Sequence, residues 1–269
     1  MPSLSREIRF TVNPFSSNRL KGANSYCSSP SGEGLGLFFG LWVEVGGDVD
    51  ADTGFVVNLV DIDRLVRLNV VPVFVEKICE KYRNGREVSF CDIVELLKYS
   101  AQILKDKFSP QKLLSLKLFL NPYRTLRYLT ESEKVIYYSE KFEFAAMHRL
   151  WNSSFSDEKN FRIFGKCANP NGHGHNYIAE VTAAVECGTE FEFGSFQKVV
   201  DENFISILDH KNLNADVEYF RTANPTLENI TRFGWKVLKD RIVPARLHRI
   251  KVWENNRAFC SYEGEAESQ

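Results

Sequence analysis

The sequence predicts an α+β protein made of two similar units, each an antiparallel sheet with helices on one face. Two observations predict it. Segments with strand-like alternation and segments with helical spacing follow one another in the same order in each half. The halves also match one another at an offset of 134 residues. Ile103-Leu104-Lys105-Asp106-Lys107-Phe108-Ser109-Pro110 lies over Val237-Leu238-Lys239-Asp240-Arg241-Ile242-Val243-Pro244. The match runs on without a gap, Lys112-Leu113 onto Arg246-Leu247 and Leu116-Lys117-Leu118 onto Ile250-Lys251-Val252, and Tyr128 falls on Tyr262. Charge, apolar positions and proline all keep register, so the chain reads as an internal duplication. Its domains are expected at 1–130 and 131–269, joined at the polar run Thr130-Glu131-Ser132-Glu133-Lys134.

The elements of the second half are read in order. Phe142, Phe144, Ala146 and His148 alternate on one face of a strand. A polar loop is expected next. A second strand then carries Tyr177, Ala179, Val181, Ala183 and Val185 on one face. Phe196, Val199, Val200, Phe204, Ile207 and Leu208 have helical spacing. Another helix begins near Asn224-Pro225-Thr226, a polar entry with proline set for the first turn, and carries Leu227, Ile230, Gly234 and Leu238 on one side. His248 to Tyr262 returns as strand.

Composition narrows the function classes. Of 269 residues, 43% are hydrophobic, enough for real cores. The net charge is −1, from 34 basic and 35 acidic residues, which suggests neither nucleic acid nor membrane as partner. No apolar run approaches the roughly 20 residues of a membrane span. The amino terminus has no basic segment followed by an apolar one, so no export signal is expected. Cys27, Cys79, Cys91, Cys167, Cys187 and Cys260 lack CxxC spacing and read as reduced thiols of a cytoplasmic protein.

His173-Gly174-His175 leads into the second strand, where residues two apart point to the same side, so both imidazoles can reach one ion. His148, on the apolar face of the preceding strand, can join them from an antiparallel neighbour. Three neutral imidazoles with an open fourth position make a catalytic zinc arrangement. Taken singly, an HxH pair is an ordinary loop feature and a lone His148 a satisfied core residue. The first half serves as internal control. It has Gly34-Leu35-Gly36-Leu37 where the second has Gly172-His173-Gly174-His175, and Asn18-Arg19-Leu20 opposite His148-Arg149-Leu150. Backbone requirements alone do not call for histidine there, so the first half is expected to bind no metal.

The run Phe164-Gly165-Lys166-Cys167-Ala168-Asn169-Pro170-Asn171-Gly172-His173-Gly174-His175-Asn176-Tyr177 resembles the hallmark stretch of the 6-pyruvoyl tetrahydropterin synthase family. Ala146-Met147-His148-Arg149-Leu150, Leu208-Asp209-His210-Lys211-Asn212-Leu213, Pro225-Thr226-Leu227-Glu228-Asn229 and Val252-Trp253-Glu254-Asn255-Asn256 follow in the family's order, covering nearly all of 135–264. The resemblance implies two tandem tunnelling-fold units, each of four antiparallel strands and two helices. It further implies homo-oligomers (trimer or hexamer), a dihydroneopterin triphosphate substrate and no external redox cofactor.

It also implies roles. His148, His173 and His175 would hold Zn2+, whose Lewis acidity polarises the substrate side chain. Cys167 would be the general base, a thiol made more acidic by a nearby dication. Asp209 would orient His210 as a proton relay. Glu254 would anchor the pterin by paired hydrogen bonds, with Thr226 and Glu228 lining the same pocket. Bland readings stand beside these. Asp209-His210 could be a helix C-terminus, Cys167 an inert small residue and Glu254 a solvated strand position. At the repeat offset, however, Glu254 falls opposite Leu120. Arg149, Lys166 and Lys211 are candidates for the triphosphate. Two departures concern the pocket wall. The second half is short between Glu186 and Phe196, and the family's run before the first helix survives better in the first half, at Thr53-Gly54-Phe55-Val56-Val57-Asn58-Leu59. The metal-free half is therefore a candidate for a built-in neighbour, supplying wall and assembly contacts.

Three other readings compete. The 6-carboxytetrahydropterin synthase branch of queuosine biosynthesis places its cysteine three residues before His-Gly-His, whereas five residues separate Cys167 from His173. A folate-directed branch replaces the cysteine by glutamate. A non-catalytic zinc- or pterin-binding assembly protein would not need Cys167, Asp209, His210 and Glu254 together.

Overall fold

The computed structural model describes residues 1–15 and 36–264. The chain divides into two compact units, 1–138 with 185–191, and 139–184 with 192–269.

The first unit is an antiparallel meander of strands β1 (Ser3–Val12), β2 (Leu37–Gly46), β3 (Lys112–Phe119) and β4 (Arg124–Leu129). Three helices lie between β2 and β3: α1 (Leu59–Asn69), α2 (Val71–Arg83) and α3 (Phe90–Leu104). Asn58 caps α1, and Ser89 with Asp92 forms a capping box on α3. The break between α1 and α2 falls at Val70, where Pro72 removes a backbone donor from the ladder. This makes three helices where two are expected. Alternate residues Ile8, Phe10 and Val12 of β1 and Leu41, Val43 and Val45 of β2 are buried, as are Val66, Phe74, Leu97 and Leu104 of the helices. Each such side chain contributes about 1.5–3 kcal/mol on burial.

The second unit repeats this plan. Strands β5 (Val135–His148), β6 (His173–Glu186), β8 (Arg246–Asn255) and β9 (Ala258–Tyr262) are neighbours in that order, and the two-residue β7 (Lys211–Asn212) runs parallel to the end of β5. The loop expected after β5 contains a helix, α4 (Asp157–Phe164). The cap, not an apolar stripe, starts it: Ser156 accepts from the Lys159 N–H, and Asp157 and Glu158 sit in the first turn. The helix expected around Phe196–Leu208 is α5 (Phe193–Val200) followed by a π turn at Asp201–Ile205 and a last short turn, α6 (Ser206–Leu208). A four-residue turn, α7 (Leu213–Asp216), follows β7, and α8 (Leu227–Leu238) starts at the N-cap Thr226.

The ladders of the two units correspond residue by residue. Gly40 pairs with Phe119 and Gly46 with Lys112, while Ile178 pairs with Trp253 and Ala184 with Arg246. Both ladders slip at the same step, between Glu44 and Val45 and between Thr182 and Ala183. Position 37 thus corresponds to 175, and 120 to 254. The Ser139–Thr182 hydroxyl contact, the Phe144–Tyr177 ring stack and the His148–His173 contact all fit one register for β5 and β6. Compared with the Phe10–Phe39 pair of β1 and β2, that register makes Pro14 the counterpart of His148. Asn18, the residue matched by sequence, lies outside the described residues, as do Gly34 and Leu35. In each unit the bond before the matching proline is cis, Ser109–Pro110 and Val243–Pro244.

Candidate metal centre

His148 ends β5 and is 2% exposed. Its Nδ1 lies 2.6 Å from the Pro225 carbonyl oxygen. An oxygen with only lone pairs requires an N–H there, so Nδ1 donates and Nε2 keeps a lone pair. That Nε2 faces His173 Nε2 at 3.0 Å. His173 and His175 project from the first residues of β6, with ring centroids 4.8 Å apart, and stand 4.5 and 5.2 Å from the His148 ring. One ligand atom from each of the three lies within 4.8 Å of the others. Tetrahedral zinc with Zn–N of about 2.0–2.1 Å places its nitrogens roughly 3.3 Å apart, so small side-chain movements close the set on an ion.

The electrostatics suit a cation held by neutral ligands. Burial pushes the His148 pKa below its ordinary value, and the neighbouring imidazoles add to this. His173 is lowered for the same reasons, burial first and His175 second. His173 Nδ1 and His175 Nε2 are buried with no hydrogen-bond partner among the described residues. Two orphaned imidazole nitrogens in one cluster are costly unless something accepts or donates there. The donor set therefore fits a zinc ion.

The backbone is shaped for this approach. Gly172 has φ +68°, and a Cβ there would sit 2.9 Å from the His148 carbonyl oxygen, so glycine is required on both counts. Glu254 reaches the cluster from β8, its Oε1 3.8 Å from His175 Nε2. One step beyond the Ile178–Trp253 pair, the same register carries Glu254 opposite Tyr177. Tyr177 stacks on Phe144 at 4.9 Å and meets the His175 ring at 5.4 Å. Its hydroxyl is buried with no partner among the described residues, and burial, followed by the charges of Glu254 and Cys167, raises its pKa far above the ordinary tyrosine value. The sequence placed Tyr177 only on one strand face with Ala179, Val181, Ala183 and Val185; the polar hydroxyl on that otherwise apolar face was the available signal.

Cys167 lies in a 3-10 turn, Gly165–Ala168, tied to the chain just after β5 by the Leu150 N–H to Cys167 carbonyl bond of 2.9 Å. Burial and the Glu254 carboxylate raise its thiol pKa. Within the protein, both of these effects oppose ionisation of the Cys167 thiol.

Asp209 and His210 form a separate pair. Asp209 Oδ2 is 2.8 Å from His210 Nδ1, and its Oδ1 accepts the Ala145 N–H at 2.8 Å. That backbone bond is the first cause of the low Asp209 pKa. His210 takes φ +56°, and its side chain is 82% exposed. Neither bonds to the histidine trio among the described residues. The Thr226 hydroxyl accepts the Asn229 N–H at 3.3 Å, which gives it a capping duty, and Glu228 is exposed on the first turn of α8. Pro225, just before them, is the residue that orients His148.

A cavity of about 550 Å3 borders the cluster, with Met147, His148, Arg149, Trp151, Asn171 and Gly172 among its walls. It reaches His148 but is lined by neither Cys167 nor Glu254. The Arg149 guanidinium lies 3.8 Å from the Trp151 ring centroid and donates from Nε to the Ala168 carbonyl. In the first unit, Leu37, Phe39 and Leu118 instead help line an apolar cavity of about 120 Å3. No helix among the described residues is long and apolar enough to cross a membrane.

The site can be set beside known proteins. A family model described as 6-pyruvoyl tetrahydropterin synthase matches residues 137–265. A human 6-pyruvoyl tetrahydrobiopterin synthase is 39% identical over 131 residues, which is 47% of this chain and 90% of that protein. One from Drosophila melanogaster is 33% identical over 137 residues, 49% and 82% of the two chains. The solved 6-pyruvoyl tetrahydropterin synthase of Caenorhabditis elegans has 31% identity and a TM-score of 0.46, covering 49% of this chain and 96% of that one. With the human and Drosophila relatives matched over most of their own length, the chain belongs to the 6-pyruvoyl tetrahydropterin synthase family, whose members are lyases.

Proposed function

We propose that the second unit is a zinc-dependent lyase that converts 7,8-dihydroneopterin triphosphate by triphosphate elimination and proton transfers along the side chain. The observation that carries this reading is the trio itself, in which the Pro225 carbonyl fixes the His148 tautomer so that a lone pair faces His173. His148, His173 and His175 would hold the zinc, which supplies Lewis acidity to the side-chain hydroxyls when bound. Cys167 would take the proton from carbon, and Glu254 would receive the amino and ring N–H groups of the pterin. Asp209 holds His210 by the bond already described, and His210 would pass protons at the solvent edge of a site completed by another copy of the chain. On this reading the chain works as a homo-oligomer. The first unit, with Pro14, Leu37 and Leu120 at the matching positions, is a copy without metal chemistry.

Purified full-length chain given dihydroneopterin triphosphate, with and without chelator, tests the reading by product mass. A 6-pyruvoyl product that disappears with chelator and returns with Zn2+ is expected. A carboxy product with acetaldehyde would move the chain to the queuosine-type reaction, and metal-loaded protein without turnover would sink both.

A further inference from the structure

We propose that the Tyr177 hydroxyl is a substrate contact, donating a hydrogen bond to an acceptor atom of the nitrogen heterocycle that Glu254 holds. The inference rests on the pterin reading of the site given above.

Tyr177 is 1% exposed, and its hydroxyl has no partner among the described residues. A phenol sealed from water without a hydrogen bond is less stable there than a phenylalanine would be. The first unit displays that simpler solution. Phe39 occupies the corresponding position, opposite Leu120 by the same register that sets Tyr177 opposite Glu254. Phe39 packs on Phe10 at 5.5 Å much as Tyr177 packs on Phe144 at 4.9 Å. The fold thus asks for an aromatic ring at this point and obtains it without oxygen. The hydroxyl occurs in the unit that also carries His175 and Glu254, where the other unit has Leu37 and Leu120.

Chemistry assigns the hydroxyl its partner. A carboxylate only accepts, so Glu254 can hold the amino and ring N–H groups of a pterin but not its carbonyl oxygen or bare ring nitrogens. A donor on the same face, one strand across, completes the recognition. Cross-strand neighbours stand about 4.5–5.5 Å apart at Cβ, close enough for both side chains to touch one ring. Phenol, with an ordinary pKa of about 10, is a donor at neutral pH.

The test is Tyr177→Phe in the full chain. Zinc content, thermal midpoint, KM, kcat and the dissociation constant for dihydroneopterin triphosphate are measured beside the unsubstituted protein. Loss of a single neutral donor should weaken binding and raise KM about 3- to 10-fold, with zinc content kept and the midpoint equal or higher. Unchanged KM and dissociation constant would overturn the proposal, and so would loss of zinc or of the folded state, since either would make the hydroxyl structural. Failure of the pterin reading itself would appear in the unsubstituted protein, which would then bind no pterin.

Discussion

Strands β2 and β3 of the first unit and β6 and β8 of the second pair in matching register and slip at matching residues. Yet where the second ladder carries His175, Tyr177 and Glu254, the first carries Leu37, Phe39 and Leu120. His148 stands against Pro14, a residue with no ligand atom in its side chain. All five histidines of the chain are in its second half. The difference separates two demands on one backbone: the sheet and its bulge are kept in both units, whereas the polar end of the sheet exists in one. Chemistry, not folding, therefore accounts for these polar residues, and substitutions can erase the difference or transfer it to the other unit.

The largest effect is expected from making the second unit like the first. His173→Leu should abolish zinc uptake and lower turnover at least about a thousandfold, several kcal/mol of barrier, since Lewis acid catalysis is worth that much. Metal analysis with steady-state rates checks it; a leucine variant that still holds zinc would remove His173 from the site. Cys167→Ala should cost about 10²–10⁴ in kcat, the usual range for a lost general base, while zinc content stays at the unsubstituted level. Near-normal turnover would return Cys167 to the status of a small packing residue.

The pH response separates the units more gently. His148 and His173 titrate below their ordinary value, mainly through burial, so the unfolded chain binds protons that the folded unit resists. In metal-stripped protein their contribution is present above an ordinary histidine pKa of about 6.5 and is lost as pH falls from there through the depressed values. Amide exchange between pH 7 and 5 should therefore quicken along β6 more than along β2, which carries no histidine. Equal acceleration in both would show that other groups govern acid sensitivity. The smallest effect is expected from Leu37→His. Pro14 gives it no partner, so zinc content should not rise, and the only cost should be about 1–3 kcal/mol for a poorly paired polar group. A second bound zinc would refute the assignment of Pro14.

Much of this was legible in the sequence. Alternation on β5 and β6 and the 134-residue offset revealed the doubled sheet, because buried strands must repeat every second residue. His-Gly-His and a strand-borne histidine revealed the trio. The missed features depend on caps and register. Helix α4 has no apolar stripe and starts from its Ser156 cap. The counterpart of His148 depends on register: strand pairing selects Pro14, which also stands 134 residues before it, whereas Asn18 lies outside the described residues. The Pro225 carbonyl behind His148 is a main-chain atom, invisible to residue types. Tyr177 shares an apolar strand face, and its oxygen, with no partner among the described residues, sets it apart from the rest of that face.

Zinc titration of chelator-stripped full-length protein tests the contrast between the units most directly. Uptake of one equivalent per chain, and of none after His148, His173 and His175 are all replaced by leucine, is the predicted result. Two equivalents, or one retained by the triple variant, would contradict a single metal centre in the second unit.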